Sequence, residues 1–322
     1  QKSTSLTSFF VVFFAIVDWF SSVFIPKSDV KKVSVNINYN LKSQLSDMLF
    51  ILKSGSSIFV AIILISWFWF VGAIILSQIP TFIKYYLNGD ESMVTFLLAV
   101  FTLSVAVGSL LCAYVSKGKN EVGLVPLGAL GMSIFIGDIY FINYSSIEKE
   151  LTFLTILSLN NIFPILRVIF DFLMVGISGS FFIVPLYTLL QTRSEDSIRS
   201  RVIAVNNVCN SVFMITSAAL AAIMFKLSFK TLDVLFLTAI MNLVLCGVVF
   251  VFYKEYLQRM SFFFYKSLAC RISLPRDNLS EIDEPILILG KNSFLLTMLI
   301  TYCFQKSVIS KKIGDQLQPN DL

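Results

Sequence analysis

Seven apolar blocks, each long enough to cross a bilayer, fill most of the first 253 residues: Leu6–Ile25, Ser57–Ile83, Met93–Val115, Val122–Ile142, Ile162–Leu190, Val202–Phe225 and Leu232–Tyr253. A helix needs about 20 mostly apolar residues to cross ~30 Å of hydrocarbon. The pattern therefore predicts an all-α membrane protein of about seven transmembrane helices. Composition agrees: 56% hydrophobic and 14% charged residues in a 322-residue chain leave too little charge to cover a soluble surface.

The placement of Lys and Arg predicts the orientation, because these residues accumulate in cytoplasmic loops. One side carries Lys27, Lys31, Lys32, Lys42, Lys53, Lys117, Lys119, Arg193, Arg199 and Arg201, and the other only Lys2, Lys84, Lys149, Lys226 and Lys230. The richer side is assigned to the cytoplasm, and the tail beyond Tyr253, also rich in Lys and Arg, falls there too. Residue 1 is then outside. Gln1 follows no basic n-region or cleavage site, so the first block reads as the last helix of a preceding bundle.

The net charge of +5 is accounted for by these loops and gives no reason to expect nucleic acid; membrane lipids are the expected partner. Five scattered cysteines (Cys112, Cys209, Cys246, Cys270, Cys303) show no CxxC spacing. Neither a disulfide framework nor a metal site is expected, and no cofactor. Between the first two blocks, Leu41, Leu45, Met48, Leu49 and Leu52 form a helical apolar stripe flanked by Lys42 and Lys53. It reads as a helix lying in the membrane interface or packed on the bundle.

Polar groups within the blocks are the candidate functional residues, since a charge at the centre of a membrane helix costs about 2.5–3.5 kcal/mol on insertion scales unless it is compensated. Arg167 and Asp171 stand one turn apart and are expected to pair within their helix, either structurally or along a substrate or gating path. Asp18 and Asp138 have no intrahelical basic partner, which marks them for a cavity or proton path. The run Gly176-Ile-Ser-Gly179-Ser180 is expected to let another helix approach closely. Asn206 and Asn210 share one face and suit interhelical hydrogen bonds or a polar pore lining.

After Gly108 the chain runs to a basic turn, Lys117-Gly118-Lys119. This resembles the loop motif of the major facilitator superfamily, although Tyr114 or a neighbour occupies the place of that family's mid-motif acid. Longer runs extend the resemblance: Ile65-Ser-Trp67-Phe-Trp69-Phe-Val-Gly72, Gly89-Asp90-Glu91-Ser92, Gly123-Leu-Val-Pro126-Leu-Gly128, Phe182-Ile-Val-Pro185-Leu-Tyr187, Gln191-Thr-Arg193-Ser194 and Arg199-Ser-Arg201-Val-Ile-Ala-Val-Asn206-Asn207. As a set they resemble the bacterial lysophospholipid transporter branch fused to a phospholipid acyltransferase. The resemblance implies a carrier of two six-helix halves moving lysophospholipids across the inner membrane.

On that reading 1–27 is the last helix of the first half, 28–56 the cytoplasmic interdomain loop, and 57–253 the second half. The missing helices would come from a separate chain. Trp67, Trp69 and Gln78 would face the substrate cavity, which in carriers of this kind lies between two halves that rock against each other.

Residues 254–322 are expected to form a mostly irregular cytoplasmic tail. Its aromatic and basic start, Lys254 to Lys266, suits the membrane surface and resembles the family's linker. Where the acyltransferase family carries Asn-His-x-Ser-Phe-x-Asp, Ser293 and Phe294 match, but Lys291 replaces the histidine and Leu296 the aspartate. A lysine of ordinary pKa ~10.4 stays protonated and is a poor general base near neutrality. With no histidine anywhere in the chain, enzyme activity is not expected. Three readings follow: a lysophospholipid transporter fragment or half, an acyltransferase, and a non-functional remnant, the last suggested by 32 Phe and many Ile, Lys and Asn residues.

Overall fold

A computed structural model describes residues 2–24, 56–118, 120–144, 162–196 and 198–269. The loop helix expected over 41–52, Lys119, and the Lys291, Ser293, Phe294 and Leu296 motif lie outside the described residues. The chain divides into two compact units, 1–46 and 47–322.

The first unit contributes α1, Lys2–Val23. Its hydroxyls bond back to its own backbone, Ser21 Oγ donating to Val17 O at 2.8 Å and Ser22 Oγ to Trp19 O at 2.7 Å. Among the described residues six helices are long and apolar enough to cross a membrane, and Ser8–Val23 of α1 is a shorter apolar stretch.

Those six belong to the second unit: α2 (Ser56–Tyr86), α3 (Glu91–Val115), α4 (Leu124–Asp138, extended by a 3-10 turn at Ile139–Phe141), α5 (Phe163–Arg193), α6 (Arg199–Lys226) and α7 (Thr231–Phe252). No strand occurs among the described residues. In hydrocarbon every peptide group must be paired within its own segment, which a helix achieves whatever its β-branched content. The chain is an all-α protein of the multi-pass membrane type. A further helix, α8 (Glu255–Ala269), stands where an irregular tail was expected.

Helix ends follow local chemistry. Asp90 caps α3, its side chain accepting from Met93 N at 3.1 Å and from Ser92 Oγ at 2.6 Å. The Ser92 hydroxyl, chiefly, holds the Asp90 carboxyl below its usual range. At the other end of α3 the chain reverses through Lys117 and Gly118, with φ of 51° and 70°; the Gly118 amide returns to Ala113 O at 3.2 Å.

The packing of the six helices has an internal equivalence. Helix α2 lies against α6 as α5 lies against α3; α2 meets α7 as α5 meets α4; α2 also meets α5, and α4 meets α7. Exchanging α2 with α5, α3 with α6 and α4 with α7 reproduces the whole set of principal contacts. Both α2 and α5 are 31 residues long and each carries a proline in its last third, Pro80 and Pro185. Each unit holds three helices long and apolar enough to cross a membrane, an odd number that would turn the second unit over relative to the first.

Small residues on α5 set the spacing. A Cβ at Gly108 of α3 would stand 2.7 Å from Ile177 Cα, and one at Gly176 would collide with Ser104 Oγ. Gly128 of α4 lies directly against the Phe182 amide, and Gly179 faces the Phe68 ring of α2. Ser180 Oγ donates to Val105 O at 2.8 Å. The small-residue run thus meets three helices rather than one, and Gly108 is a packing residue inside α3, away from the turn that its motif suggested.

Candidate functional site

Polar side chains gather at three levels of this six-helix unit. At one end, Arg167 on α5 reaches across to Asp138 on α4, with Nε–Oδ2 2.8 Å and Nη2–Oδ1 2.5 Å. The expected Arg167–Asp171 pair is therefore corrected: the guanidinium's bidentate partner is Asp138, which lacks a basic partner on its own helix and finds one on the neighbouring helix. A planar fork matches a facing carboxylate with two parallel bonds, whereas an i,i+4 partner on its own helix offers a poorer approach. Asp171 is 1% exposed, and no donor reaches its Oδ2.

Tyr144 closes this end. Its hydroxyl donates to Ile139 O at 2.6 Å, and its ring packs against Phe82 and Tyr86 of α2. Burial above all pushes the Tyr144 phenol upward, so it stays a neutral donor. A groove of about 310 Å³ between α4 and α7 runs past Asp138, lined by Ser133, Gly137, Phe236 and Ala239.

At mid-depth, Asn242 on α7 joins three helices. Its Oδ1 accepts from the Trp67 indole at 2.9 Å, and its Nδ2 donates to Ala129 O at 2.9 Å and to Ser133 Oγ at 2.8 Å. Trp67 is thus turned into the bundle, stacked on Phe70. Trp69, two residues on, points the other way: it is 37% exposed and donates to Tyr187 Oη at 3.2 Å. Gln78 is buried, with Nε2 donating to Ser77 Oγ at 3.0 Å.

On α6, Asn210 accepts from Ser66 Oγ at 2.9 Å, the interhelical bond expected of it. Asn206 is fully buried with neither amide atom partnered. Asp18 lies on α1, exposed, in the other unit.

At the opposite end, Arg193 at the close of α5 ties together the starts of α2 and α8. It donates to Ser57 Oγ at 2.8 Å and makes a bidentate pair with Glu255. Glu255 also meets Arg259 at 3.3 Å. The buried Tyr256 packs on Phe250, and Gly123 at the start of α4 abuts the Arg259 backbone, where a Cβ would fall 2.6 Å from its carbonyl carbon. Lys117 and Gly118 form the nearby exposed turn, followed by Asn120, whose amide donates to Pro185 O at 3.2 Å and accepts from Leu189 N at 3.1 Å. It thereby meets both ends of the Pro185 O–Leu189 N step of α5, the turn after the proline.

Asn242, Ser66, Ser133, Tyr187 and Asn120 were not singled out by sequence. A signal existed for the first: Asn242 is the lone amide side chain of α7, and an amide in hydrocarbon must find partners.

Helices α3 and α6 each bury only 22% of their most apolar window, against 61% for α2. They flank α2 and α5, while α4 and α7 back them, which leaves the Trp69–Tyr187 face uncovered within the unit. No family model, curated protein or solved structure matches the chain.

Proposed function

We propose that this chain supplies the second six-helix half of a facilitator-type carrier that moves lysophospholipids across the bacterial inner membrane by alternating access. The observation that carries the proposal is the exchange relation between α2–α4 and α5–α7. Oppositely inserted repeats are a recurring construction of secondary transporters. The uncovered face bearing Trp69 and Tyr187 is one wall of the cavity, and further helices provide the other. The Lys and Arg distribution puts the Arg193 end in the cytoplasm. The lysophospholipid assignment rests on the sequence resemblance.

The test is co-reconstitution with a chain carrying the preceding helices in vesicles loaded with labelled lysophosphatidylethanolamine. Flux above protein-free vesicles, reduced by Trp69→Ala, is the expected result. Failure of every such pair to move labelled lysophospholipid sinks the proposal.

A further inference from the structure

Among the described residues, the Arg167 cluster brings two carboxyls, Asp138 and Asp171, to one guanidinium. Arg167 and Asp138 neutralise each other through a bidentate pair. Asp171, one turn from Arg167 on the same helix, adds a second carboxyl, 1% exposed and with an oxygen that no donor reaches. Two carboxylates cannot hydrogen-bond each other unless one carries a proton. A buried anion without a donor is among the costliest groups a membrane interior can hold.

Among the described residues, Arg167 is the one cation that acts on Asp171. Helix α4 presents Asp138, α5 Arg167, the segment after the 3-10 turn Tyr144, and α2 Tyr86. Helix α3 has no acid or base between Glu91 at its start and Cys112. Both tyrosines are donors, but the Tyr144 hydroxyl is committed to Ile139 O.

We propose that Asp171 is a proton-binding site: it is held as a carboxylic acid that donates to Asp138, and release of its proton transfers Arg167 from Asp138 to Asp171. The bound proton turns an acceptor without a donor into a donor and leaves the cluster neutral. On release, the proton leaves to water and the new carboxylate competes for the guanidinium one turn away on the same helix. Arg167 can then pair within α5, and the link to α4 is broken. A metal cation is disfavoured because the guanidinium already occupies the carboxylate facing it. The site does not depend on the transport reading, since it follows from the pairing geometry alone.

The test uses the full chain in phosphatidylethanolamine–phosphatidylglycerol vesicles, with aspartate 13C-labelled at the side-chain carboxyl, followed by infrared difference spectroscopy between neutral and alkaline buffer. The expected result is a label-shifted carboxylic-acid stretch present at neutral pH and lost in alkali. It should be absent in Asp171→Asn. Should that variant fail to fold, Asp171→Glu keeps an acid in place and removes the band from the labelled set. A missing acid band in the wild type, a band that survives both substitutions, or a band governed by sodium at fixed pH overturns the proposal.

Discussion

The indole of Trp67 donates to Asn242 Oδ1 across 2.9 Å, and through the amide of that one asparagine α2, α4 and α7 are joined. Removing the amide strands the buried Trp67 indole N–H, while the Ser133 hydroxyl still donates to Ala129 O. Interhelical bonds in membranes average about 0.6 kcal/mol each, and a buried donor left unpaired costs about 1–3 kcal/mol. Asn242→Leu should lower stability by about 1–3 kcal/mol in a detergent unfolding titration. Double substitution with Trp67→Phe should recover part of that loss; additive losses would show that the two residues are not coupled.

Asn206 and Asn210 make opposite predictions from one helix. Asn206 has no partner for either amide atom, so an apolar residue of similar shape should be neutral or stabilising there. Asn210→Leu leaves Ser66 without its acceptor and should cost about 1 kcal/mol. Thermal unfolding of both variants in the same detergent ranks them, and a larger loss for Asn206→Leu would contradict the buried, unpartnered placement.

Glycines divide in the same way. Nothing lies within 4 Å of a Cβ built on Gly72, whereas Gly128 sits against the Phe182 backbone. Gly72→Ala should be tolerated or slightly stabilising. Gly128→Ala should cost about 1–3 kcal/mol, because backbone rather than a flexible side chain must give way. Expression and melting temperature of the two variants check the contrast.

Attachment of α8 should depend on pH. The Arg193 guanidinium beside Glu255 holds its carboxyl below the ordinary value of 4.5. The folded pKa is depressed, so the contribution is complete above the usual glutamate range and is lost as pH falls through the lowered value. Partial exposure limits the pair to about 0.2–1 kcal/mol. Amide hydrogen exchange of α8, taken relative to the intrinsic rate at each pH, should accelerate on acidification. In Glu255→Gln it should already be faster at neutral pH and no longer respond to acid.

The membrane class and the limits of six helices were legible because hydrophobicity and length alone decide them. Ser57–Ile83 became Ser56–Tyr86, and Met93–Val115 became Glu91–Val115. The pairing of Arg167 was not legible. Spacing along one helix identifies which partners are near in sequence, but Asp138 arrives from a neighbour whose rotation is set by Gly128 and Gly131 against α5. Trp67 and Trp69 show the same limit: two residues apart on a helix, they face nearly opposite ways, and only the packing of α7 shows which is inside. The helix over 255–269 was hidden because an aromatic and basic stretch suits a membrane surface as well as it suits a docked helix.

The two ion pairs described at opposite ends of the bundle are built from equivalent parts. Arg167 joins the end of α4 to the start of α5, beside the end of α2; Arg193 joins the segment after α7 to the start of α2, at the end of α5. Exchange of the two three-helix units carries one set of helix ends onto the other. Each end of the six-helix unit is therefore tied by an arginine–carboxylate pair that joins the same three kinds of helix terminus, so the two three-helix units are cross-linked at both ends.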